Sequence, residues 1–352
     1  MIVTLIGARP QFVKAAVVSK AFIDSGIPET IVHSGQHYDD RMSEIFWKEL
    51  GIPKPLFNLN IGSGSHAVQT AGMMVGLEQI INDMKEKPKA LLLYGDTNTT
   101  VAGSLVASKL HIPIVHVEAG LRSFNRKMPE EINRVVTDHL SDILFCPSEA
   151  SVRQLATEGI TKNVYDVGDV MYDSFLTFSA IAKKLSTDEF DINSENDFTL
   201  LTLHRPANTD DKETLKQILK ELGSLPTQII WPLHPRNQNH IKGTPIPSNL
   251  RITEPFSYLQ MLLMLEKCNS VITDSGGLQK EAYWAKKPCI TLRDETEWVE
   301  TLTGGWNQLA SSSDGDLLEK FLTKPALVWT PLYGNGNAAG EIAKKIQSYY
   351  YA

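Results

Sequence analysis

Residue types that suit proton transfer and anion binding recur just after short apolar runs of the chain. Asp96 follows ALLLYG, Glu118 follows IPIVHV and His204 follows FTLLTL. Carboxylates that lie close together suit proton transfer, because crowding and burial can raise the pKa of one of them towards neutrality. Cations at the same places suit a diphosphate. Together these types predict chemistry on a nucleotide-linked substrate, although Asp96 alone also fits a helix cap and His204 a hydrogen-bonded loop histidine.

The stretch DSGGLQKEA, residues 274–282, places an acid, a hydroxyl and two glycines at the start of a predicted helix. The first amides of a helix lack intrahelical partners and lie at the positive end of its dipole, so they can bind a phosphate. The same composition is ordinary for a strand-to-helix turn, and short glycine motifs often match by chance. Both interpretations stay open for these residues alone.

Alternating strands and helices must position these residues. Apolar runs alternate with segments of helical spacing in two series, which predicts an α/β fold of two doubly wound parallel sheets. The polar stretch KKLSTDEFDINSENDF separates the series and predicts a linker. Ligands of such sheets bind outside the carboxyl ends of the strands. We expect a Rossmann-like domain over 1–185, a second over 186–335 that binds the ligand, and a helix over 336–352 that packs back towards the first.

Composition narrows the class of protein further. A length of 352 residues fits two domains, and a net charge of −7 disfavours nucleic acid as a partner. No apolar run is long enough for a membrane span and the N-terminus lacks signal-peptide features, so we expect no membrane association. The three cysteines are widely spaced, which disfavours disulfides and fits a cytoplasmic protein. P-loop, GxSxG and HExxH motifs are absent, and no metal-ligand spacing occurs.

The strand-end motifs, taken in order, resemble those of the non-hydrolysing UDP-N-acetylglucosamine 2-epimerase family. The resemblance runs from residue 2 to about 345 and implies the GT-B architecture, in which two Rossmann-like domains face across a cleft. It also implies a cytoplasmic homodimer that serves the synthesis of cell-surface polysaccharide such as lipopolysaccharide. The motifs are GARPQFVK, SGQHYD, GDTNTT, HVEAGLRS, MPEEINR, HRPANTD, HPRN, DSGGLQKEA and YGNGNAAGEI.

The family inverts C2 of a UDP-linked N-acetylhexosamine without a cofactor. The C2 hydrogen lies next to no carbonyl, so its direct removal and return would be too costly. The resemblance implies anti elimination of UDP to a 2-acetamidoglucal, then syn readdition of UDP with protonation of C2 from the other face. The sequence does not assign which carboxylate removes the proton and which returns it. Positions matching the family's catalytic residues are Asp96, Glu118, Glu130 and His204.

The resemblance also implies the binding residues. Ser275, Gly276 and the amide of Gly277 would hold the diphosphate, and Glu281 would accept hydrogen bonds from the ribose hydroxyls. Further substrate contacts are expected from Arg9, Lys14, Arg122, Arg134, His234, Phe256 and Trp298. Bacterial members bind a second UDP-sugar as an activator, at positions that match Gln36, His37, Glu131, Arg205 and, again, His234; Asp39 stands near where glutamine is common.

Two departures from the family pattern bear on the sugar. The signature TERPE reads TEWVE here, so Trp298 replaces an arginine that contacts the ligand, and QEEA reads QKEA, with Lys280. These variants resemble the branch that inverts UDP-2,3-diacetamido-2,3-dideoxyglucuronate. Its extra carboxylate would suit a cation such as Lys280 or Arg293, although Lys280 also fits a solvated helix position.

Three rival functions share parts of this pattern. A GT-B glycosyltransferase has the same architecture and UDP site but needs an acceptor groove. A hydrolysing epimerase releases UDP and free N-acetylmannosamine, and it differs in whether the glycal intermediate is kept from water. A nucleotide-sugar binder without activity is disfavoured by the matching catalytic positions.

Overall fold

The computed structural model describes residues 1–35, 47, 49–186, 197–233, 235–311 and 315–351. Its contacts divide the chain into two compact units. The first comprises Met1–Leu176 with Tyr333–Ala352, and the second comprises Thr177–Leu332. The predicted division into domains over 1–185 and 186–335 and a C-terminal helix over 336–352 stays a prediction.

The first unit is a parallel sheet with helices between its strands. Its strands are β1 (Ile2–Ile6), β2 (Glu29–His33), β3 (Phe57–Asn58), β4 (Ala90–Tyr94), β5 (Ile114–Val117), β6 (Ile143–Cys146) and β7 (Val164–Asp166). Its helices are α1 (Arg9–Asp24), α2 (His66–Asp83), α3 (Asn98–Leu110), α4 (Pro129–Leu140), α5 (Glu149–Thr157) and the C-terminal helix (Ala338–Tyr350). Helix α6 (Val170–Ala182) begins in the first unit and ends in the second. All seven strands are parallel, in the order β3-β2-β1-β4-β5-β6-β7.

The second unit repeats this plan with six strands. Its strands are β8 (Phe198–Thr202), β9 (Gln228–Pro232), β10 (Leu250–Thr253), β11 (Ser270–Thr273), β12 (Cys289–Thr291) and β13 (Asn307–Leu309). Its α-helices are α7 (Pro206–Thr209), α8 (Lys212–Gly223), α9 (Tyr258–Lys267), α10 (Gly276–Trp284) and α11 (Leu317–Leu322), and 3-10 helices span Pro235–Gln238 and Val299–Gly305. The parallel order is β10-β9-β8-β11-β12-β13.

Buried apolar strands form the centre of each sheet. Every residue of β1 and β4 is buried, as expected for parallel strands covered on both faces. In the second unit Trp231, Ile272 and Ile290 belong to one core cluster with the apolar face of α8. Strand order reverses beside β1 in one sheet and beside β8 in the other, which leaves a binding position at each of these strand ends. The two doubly wound parallel sheets confirm the predicted fold class.

The C-terminal helix belongs to the first unit and packs against α1. Its buried face carries Ile342 and Ile346, and its N-terminal amide at Ala339 donates a hydrogen bond of 2.7 Å to Asp173 Oδ2 on α6. In the part of the chain that the structure describes, no helix combines the length and hydropathy needed to cross a bilayer.

Candidate active site

The turn after β4 brings two predicted catalytic carboxylates to one place. Gly95 has a φ of +62°, and a Cβ atom there would lie 3.1 Å from Glu118 Oε2 and 3.3 Å from Lys14 Nζ. Glu118 and Lys14 therefore lie directly against the turn that carries Asp96. Because the backbone is left-handed and the space is already filled, this position requires glycine.

Glu118 is paired with a cation of the first helix. Lys14 Nζ donates a hydrogen bond to Glu118 Oε2, and the two side chains are only 7% and 8% exposed. Burying either charge alone would be costly, so the pair compensates itself. Arg9 begins the same helix and is partly exposed.

Asp96 is paired with a different cation. Arg134 Nη2 on α4 donates to Asp96 Oδ2 at 2.5 Å, and Asn133 Nδ2 donates to the Asp96 carbonyl at 2.9 Å. The Asp96 side chain remains 29% exposed, so a ligand can reach it. The cap of α3 is Thr97, whose hydroxyl accepts the amide of Thr100, so the alternative that Asp96 caps this helix is wrong.

The two glutamates at the start of α4 differ in environment. Glu130 is exposed, whereas Glu131 is buried. Glu131 accepts hydrogen bonds from the amides of Ser123 and Phe124, at 2.8 and 3.0 Å, and from Arg134 at 3.1 Å. In this structure Glu131 thus holds the loop before α4. Its contact with a second UDP-sugar stays a prediction.

Arg122 belongs to a buried ion network behind these carboxylates. Its guanidinium donates twice to Glu158, at 2.8 Å each, and once to Asp138, at 2.7 Å. Burial alone would lower the Arg122 pKa, but the hydrogen bonds and charges of Glu158 and Asp138 raise it above its usual value. Arg122 therefore supports the loop after β5, and its contact with substrate stays a prediction.

A histidine and an aspartate meet at the strand ends of the second unit. His204 Nδ1 lies 3.0 Å from Asp274 Oδ1, and the amides of His204 and Arg205 donate to the same carboxylate. Burial would raise the pKa of Asp274, but these hydrogen bonds and the His204 charge hold it below its usual value. The His204 side chain is 45% exposed, so Asp274 orients an imidazole that a ligand can reach.

The DSGG motif forms the start of a helix, as predicted. Ser275 caps α10 by accepting a hydrogen bond of 3.3 Å from the amide of Leu278. The carboxylate of Asp274 instead accepts a hydrogen bond from the amide of His204. A Cβ at Gly276 would lie 2.7 Å from Glu297 Oε1, whereas one at Gly277 would have no neighbour closer than 4.0 Å. The motif thus combines a closely packed glycine, Gly276, with helix amides suited to an anion.

Predicted contacts with the rest of a nucleotide sugar lie along and beside α10. Glu281 accepts a hydrogen bond of 2.9 Å from Tyr258, and Phe256, which is partly buried, precedes the cap of α9. Lys280 is 1% exposed, with its Nζ 3.4 Å from the centre of the Trp298 ring. The alternative that Lys280 is a solvated helix residue is therefore wrong.

Some predicted residues lie outside the described part of the chain, and some residues that support the site were not predicted. Gln36, His37 and His234 lie outside the described residues. The residues missed are hydrogen-bond partners of the predicted ones or of one another. His116, Asn133 and Asp274 stand inside the motifs HVEAGLRS, MPEEINR and DSGGLQKEA without an assigned role, whereas Asp138 and Glu158 lie outside the motifs. Among the described side chains, no cluster of His, Cys, Asp and Glu is placed to hold a metal ion.

Comparison with known proteins gives matches over nearly the whole chain. The model of the family described as UDP-N-acetylglucosamine 2-epimerase matches residues 22–347. A UDP-2,3-diacetamido-2,3-dideoxy-D-glucuronate 2-epimerase from Pseudomonas aeruginosa is 46% identical, over 97% of this chain and 98% of its own. A UDP-N-acetylglucosamine 2-epimerase homolog from Methanococcus maripaludis is also 46% identical, over 99% of each.

A solved structure agrees with these matches. The UDP-N-acetylglucosamine 2-epimerase of Methanocaldococcus jannaschii, in complex with UDP-N-acetylglucosamine and UDP, superposes with a TM-score of 0.91. It is 40% identical and covers 99% of this chain and 100% of its own. The fold of two Rossmann-like units expected of a GT-B protein is thereby confirmed.

Proposed function

Because the chain belongs to the UDP-N-acetylglucosamine 2-epimerase family and is an epimerase, we propose that it converts UDP-N-acetylglucosamine into UDP-N-acetylmannosamine. The observation that carries this proposal is the meeting of Asp96 and Glu118 at the Gly95 turn. Each carboxylate has its own cation, Arg134 for Asp96 and Lys14 for Glu118. Two carboxylates held in fixed places are what removal and return of one proton need.

The proposed reaction proceeds by elimination and readdition. UDP leaves C1 while the C2 hydrogen is removed, which gives the 2-acetamidoglucal, and UDP then returns to C1 as C2 is protonated on the other face. Asp96, Glu118, Glu130 and His204 are the proposed proton-transfer groups. The diphosphate binds at Ser275 and the first amides of α10, where the helix dipole stabilises the negative charge that develops on UDP.

Exchange of the C2 hydrogen with solvent tests the reaction. Proton NMR of the enzyme with UDP-N-acetylglucosamine in D₂O should show a manno-configured UDP-sugar with deuterium at C2. Release of free N-acetylmannosamine would indicate the hydrolysing reaction instead. The rate at which deuterium enters C2 can be measured in Asp96→Asn and Glu118→Gln variants, starting from each epimer. These rates would show which carboxylate transfers the proton on which face of C2.

UDP-2,3-diacetamido-2,3-dideoxyglucuronate is a second candidate substrate. The 46% identity with the Pseudomonas aeruginosa enzyme favours it, as does the buried group of Lys280, Arg293 and Trp298 beside α10. Arg293 already donates a hydrogen bond of 2.9 Å to Glu297 Oε2, so a carboxylate on the sugar would join this ion pair and the cation of Lys280. If this sugar is the substrate, its kcat/KM will exceed that of UDP-N-acetylglucosamine when both are supplied together.

We propose further that the protein is a cytoplasmic homodimer serving polysaccharide synthesis, including that of lipopolysaccharide. Helix α3 packs against both α2 and α4, and these outer helices expose apolar side chains, which favours a covered face. Sedimentation of Val75→Glu and Val135→Glu variants tests it, since a charge in the interface should yield monomers. The exposed apolar residues are Val68, Val75, Ile132 and Val135.

A second UDP-sugar is the proposed activator. Its site would include Glu131, whose carboxylate anchors Ser123 and Phe124, and Arg205, whose Nε donates to the Asp274 carbonyl at 2.9 Å. Gln36, His37 and His234 are the other proposed members. In the wild-type enzyme we expect the forward rate to depend on substrate concentration sigmoidally. In the Arg205→Ala variant we expect this dependence to be hyperbolic. A hyperbolic curve for the wild-type enzyme would contradict the proposal.

A further inference from the structure

Behind the Gly95 turn lies a buried chain of alternating charges. It runs from Glu158, whose side chain is 20% exposed, through Arg122 and Asp138 to His116, whose side chains are each exposed by 2% or less. His116 Nε2 ends the chain 2.8 Å from the carbonyl oxygen of Gly95. The network thus reaches the residue that precedes Asp96.

Both ring nitrogens of His116 face acceptors. Nδ1 lies 2.7 Å from Asp138 Oδ1, and the carbonyl that Nε2 meets can only accept a hydrogen bond. Asp138 also accepts from Arg122 and from the Gly120 amide, at 3.1 Å, so its oxygens are surrounded by donors. A neutral imidazole would leave one of its two contacts without a proton, whereas an imidazolium satisfies both.

Charge balance also favours a protonated imidazole at His116. Burial raises the pKa of Asp138, but hydrogen bonds and charges of His116 and Arg122 lower it below the usual value, so the carboxylate is ionised. Glu158 and Asp138 carry two negative charges and Arg122 carries one positive charge, so a protonated His116 balances these three groups. His139, whose Nδ1 lies 3.9 Å from Glu158 Oε2, is 47% exposed and lies at the solvent end of the network. The neighbouring thiol of Cys146 stays neutral, because burial, Asp138 and Asp166 raise its pKa.

The network touches the backbone on either side of the catalytic carboxylates. His116 lies on β5 two residues before Glu118, Asp138 holds the Gly120 amide two residues after it, and Gly95 immediately precedes Asp96. Lys14 and Glu118 lie against the same glycine. A change at His116 would therefore move both carboxylates relative to each other without removing either.

We propose that His116 is a positioning residue for the epimerisation, an imidazolium that ties Gly95 to Asp138 and thereby sets the spacing of Asp96 and Glu118. This inference rests on the proposed function of the two carboxylates. It assigns His116 no contact with substrate. Its charge and the geometry it maintains are separate properties, and each can be measured.

Kinetics of His116→Phe and His116→Gln test the geometry. The phenylalanine variant lacks both donors, and we expect kcat to fall on the order of 100-fold, since small misplacements of reacting groups have such effects. Glutamine can restore the donor to Gly95, so its loss should be several-fold smaller. UDP affinity should stay within about 2-fold of wild type in both, because the proposed diphosphate contacts lie in other elements.

A matched destabilised variant separates positioning from general loss of structure. Asp173→Ala removes a buried carboxylate of the same unit, one that binds the C-terminal helix and has no bond to the Gly95 turn. It should lower the Tm yet keep kcat within about 2-fold of wild type. If His116→Phe keeps wild-type kcat, or loses kcat only as much as Asp173→Ala at equal Tm, the proposal is overturned.

The charge of His116 is measured in the wild-type enzyme by ¹⁵N NMR of labelled histidine at pH 7.5. Only His33 and His116 are buried among the described histidines, and a His33→Gln variant assigns them by elimination. Two protonated, exchange-protected ring nitrogens are expected for His116. One unprotonated nitrogen would overturn the imidazolium, even if no His116 variant folds. If Asp96→Asn keeps full turnover while this spectrum is as expected, the proposed function fails and the assigned charge stands.

Discussion

The two units carry the same sheet topology but present different chemistry at their strand ends. In the first unit the candidate residues are ion pairs, with Lys14 on Glu118 and Arg134 on Asp96. In the second, the described strand ends present helix amides at Ser275 and the imidazole of His204, which a buried carboxylate holds. One topology therefore presents two kinds of polar group, although His204 of the second unit is also a proposed proton-transfer group. Proton transfer needs charges held at fixed distances, whereas phosphate binding needs exposed amides.

The largest expected effect comes from neutralising a charge of the first unit. Asp96→Asn keeps the shape of the side chain and removes a proton acceptor, so kcat should fall by about 10³-fold. The affinity for UDP should remain within about 2-fold, because the second unit carries the proposed diphosphate contacts. Stopped assays read by NMR measure kcat, and calorimetry with UDP measures the affinity. Asp24→Asn, an exposed carboxylate of the same unit, is the control and should change neither.

Removing a partner cation in the first unit should affect stability. Lys14→Met removes the cation that pairs with the buried Glu118, so the free energy of unfolding should fall by about 3 kcal/mol in urea titrations. Lys20 on the same helix forms an exposed pair with Asp24, and Lys20→Met should cost less than about 0.5 kcal/mol. Equal losses in both variants would mean that the first unit does not depend on buried pairing.

A methyl group distinguishes the two glycines of the second unit. Gly276→Ala places a Cβ 2.7 Å from Glu297 Oε1, so either Glu297 or α10 must shift, and UDP affinity should fall by about 10-fold. Gly277→Ala has room for its Cβ and should change affinity by less than about 3-fold. Calorimetry with UDP measures both. An equal loss in both variants would contradict the assignment of the effect to Glu297.

The smallest expected effect is on acid stability and concerns Asp274. Its pKa in the folded protein is lowered, so its contribution to stability is fully present above the unfolded value of about 3.9 and is lost as pH falls through the folded pKa. The difference in unfolding free energy between wild type and Asp274→Asn, on the order of 1 kcal/mol, should shrink on acidification from pH 6 to pH 3. A difference that does not change with pH would show that the ionised carboxylate is not what stabilises the His204 turn.

Local sequence patterns predicted the fold because strand runs, helix spacing and turn residues act over a few positions. The same patterns placed Asp96, Glu118 and His204 at strand ends, since a strand end is itself local. Pairings across the sheet have no local signal. Lys14 meets Glu118 from 104 positions away, and Asp138 lies on a helix whose motif ended several residues earlier.

Burial of individual helix residues was the least predictable feature. Lys280 fits an exposed position by type alone, but packing of the segment after β12 places Trp298 over it. Residues 278–284 of α10 are all buried, so protein covers every face of the helix, and helical spacing within α10 does not predict that. For this reason local sequence patterns do not identify the residues that support the site, whereas they do predict the candidate catalytic residues.

The C-terminal helix has a consequence for how the protein is made on the ribosome. It packs on α1, the helix of Arg9 and Lys14, yet residues 333–352 are translated only after all of the second unit. Nascent chains must therefore hold the first unit with one face of α1 uncovered while the second unit emerges. A chain released at the end of that interval would retain every proposed proton-transfer residue but lack this cover.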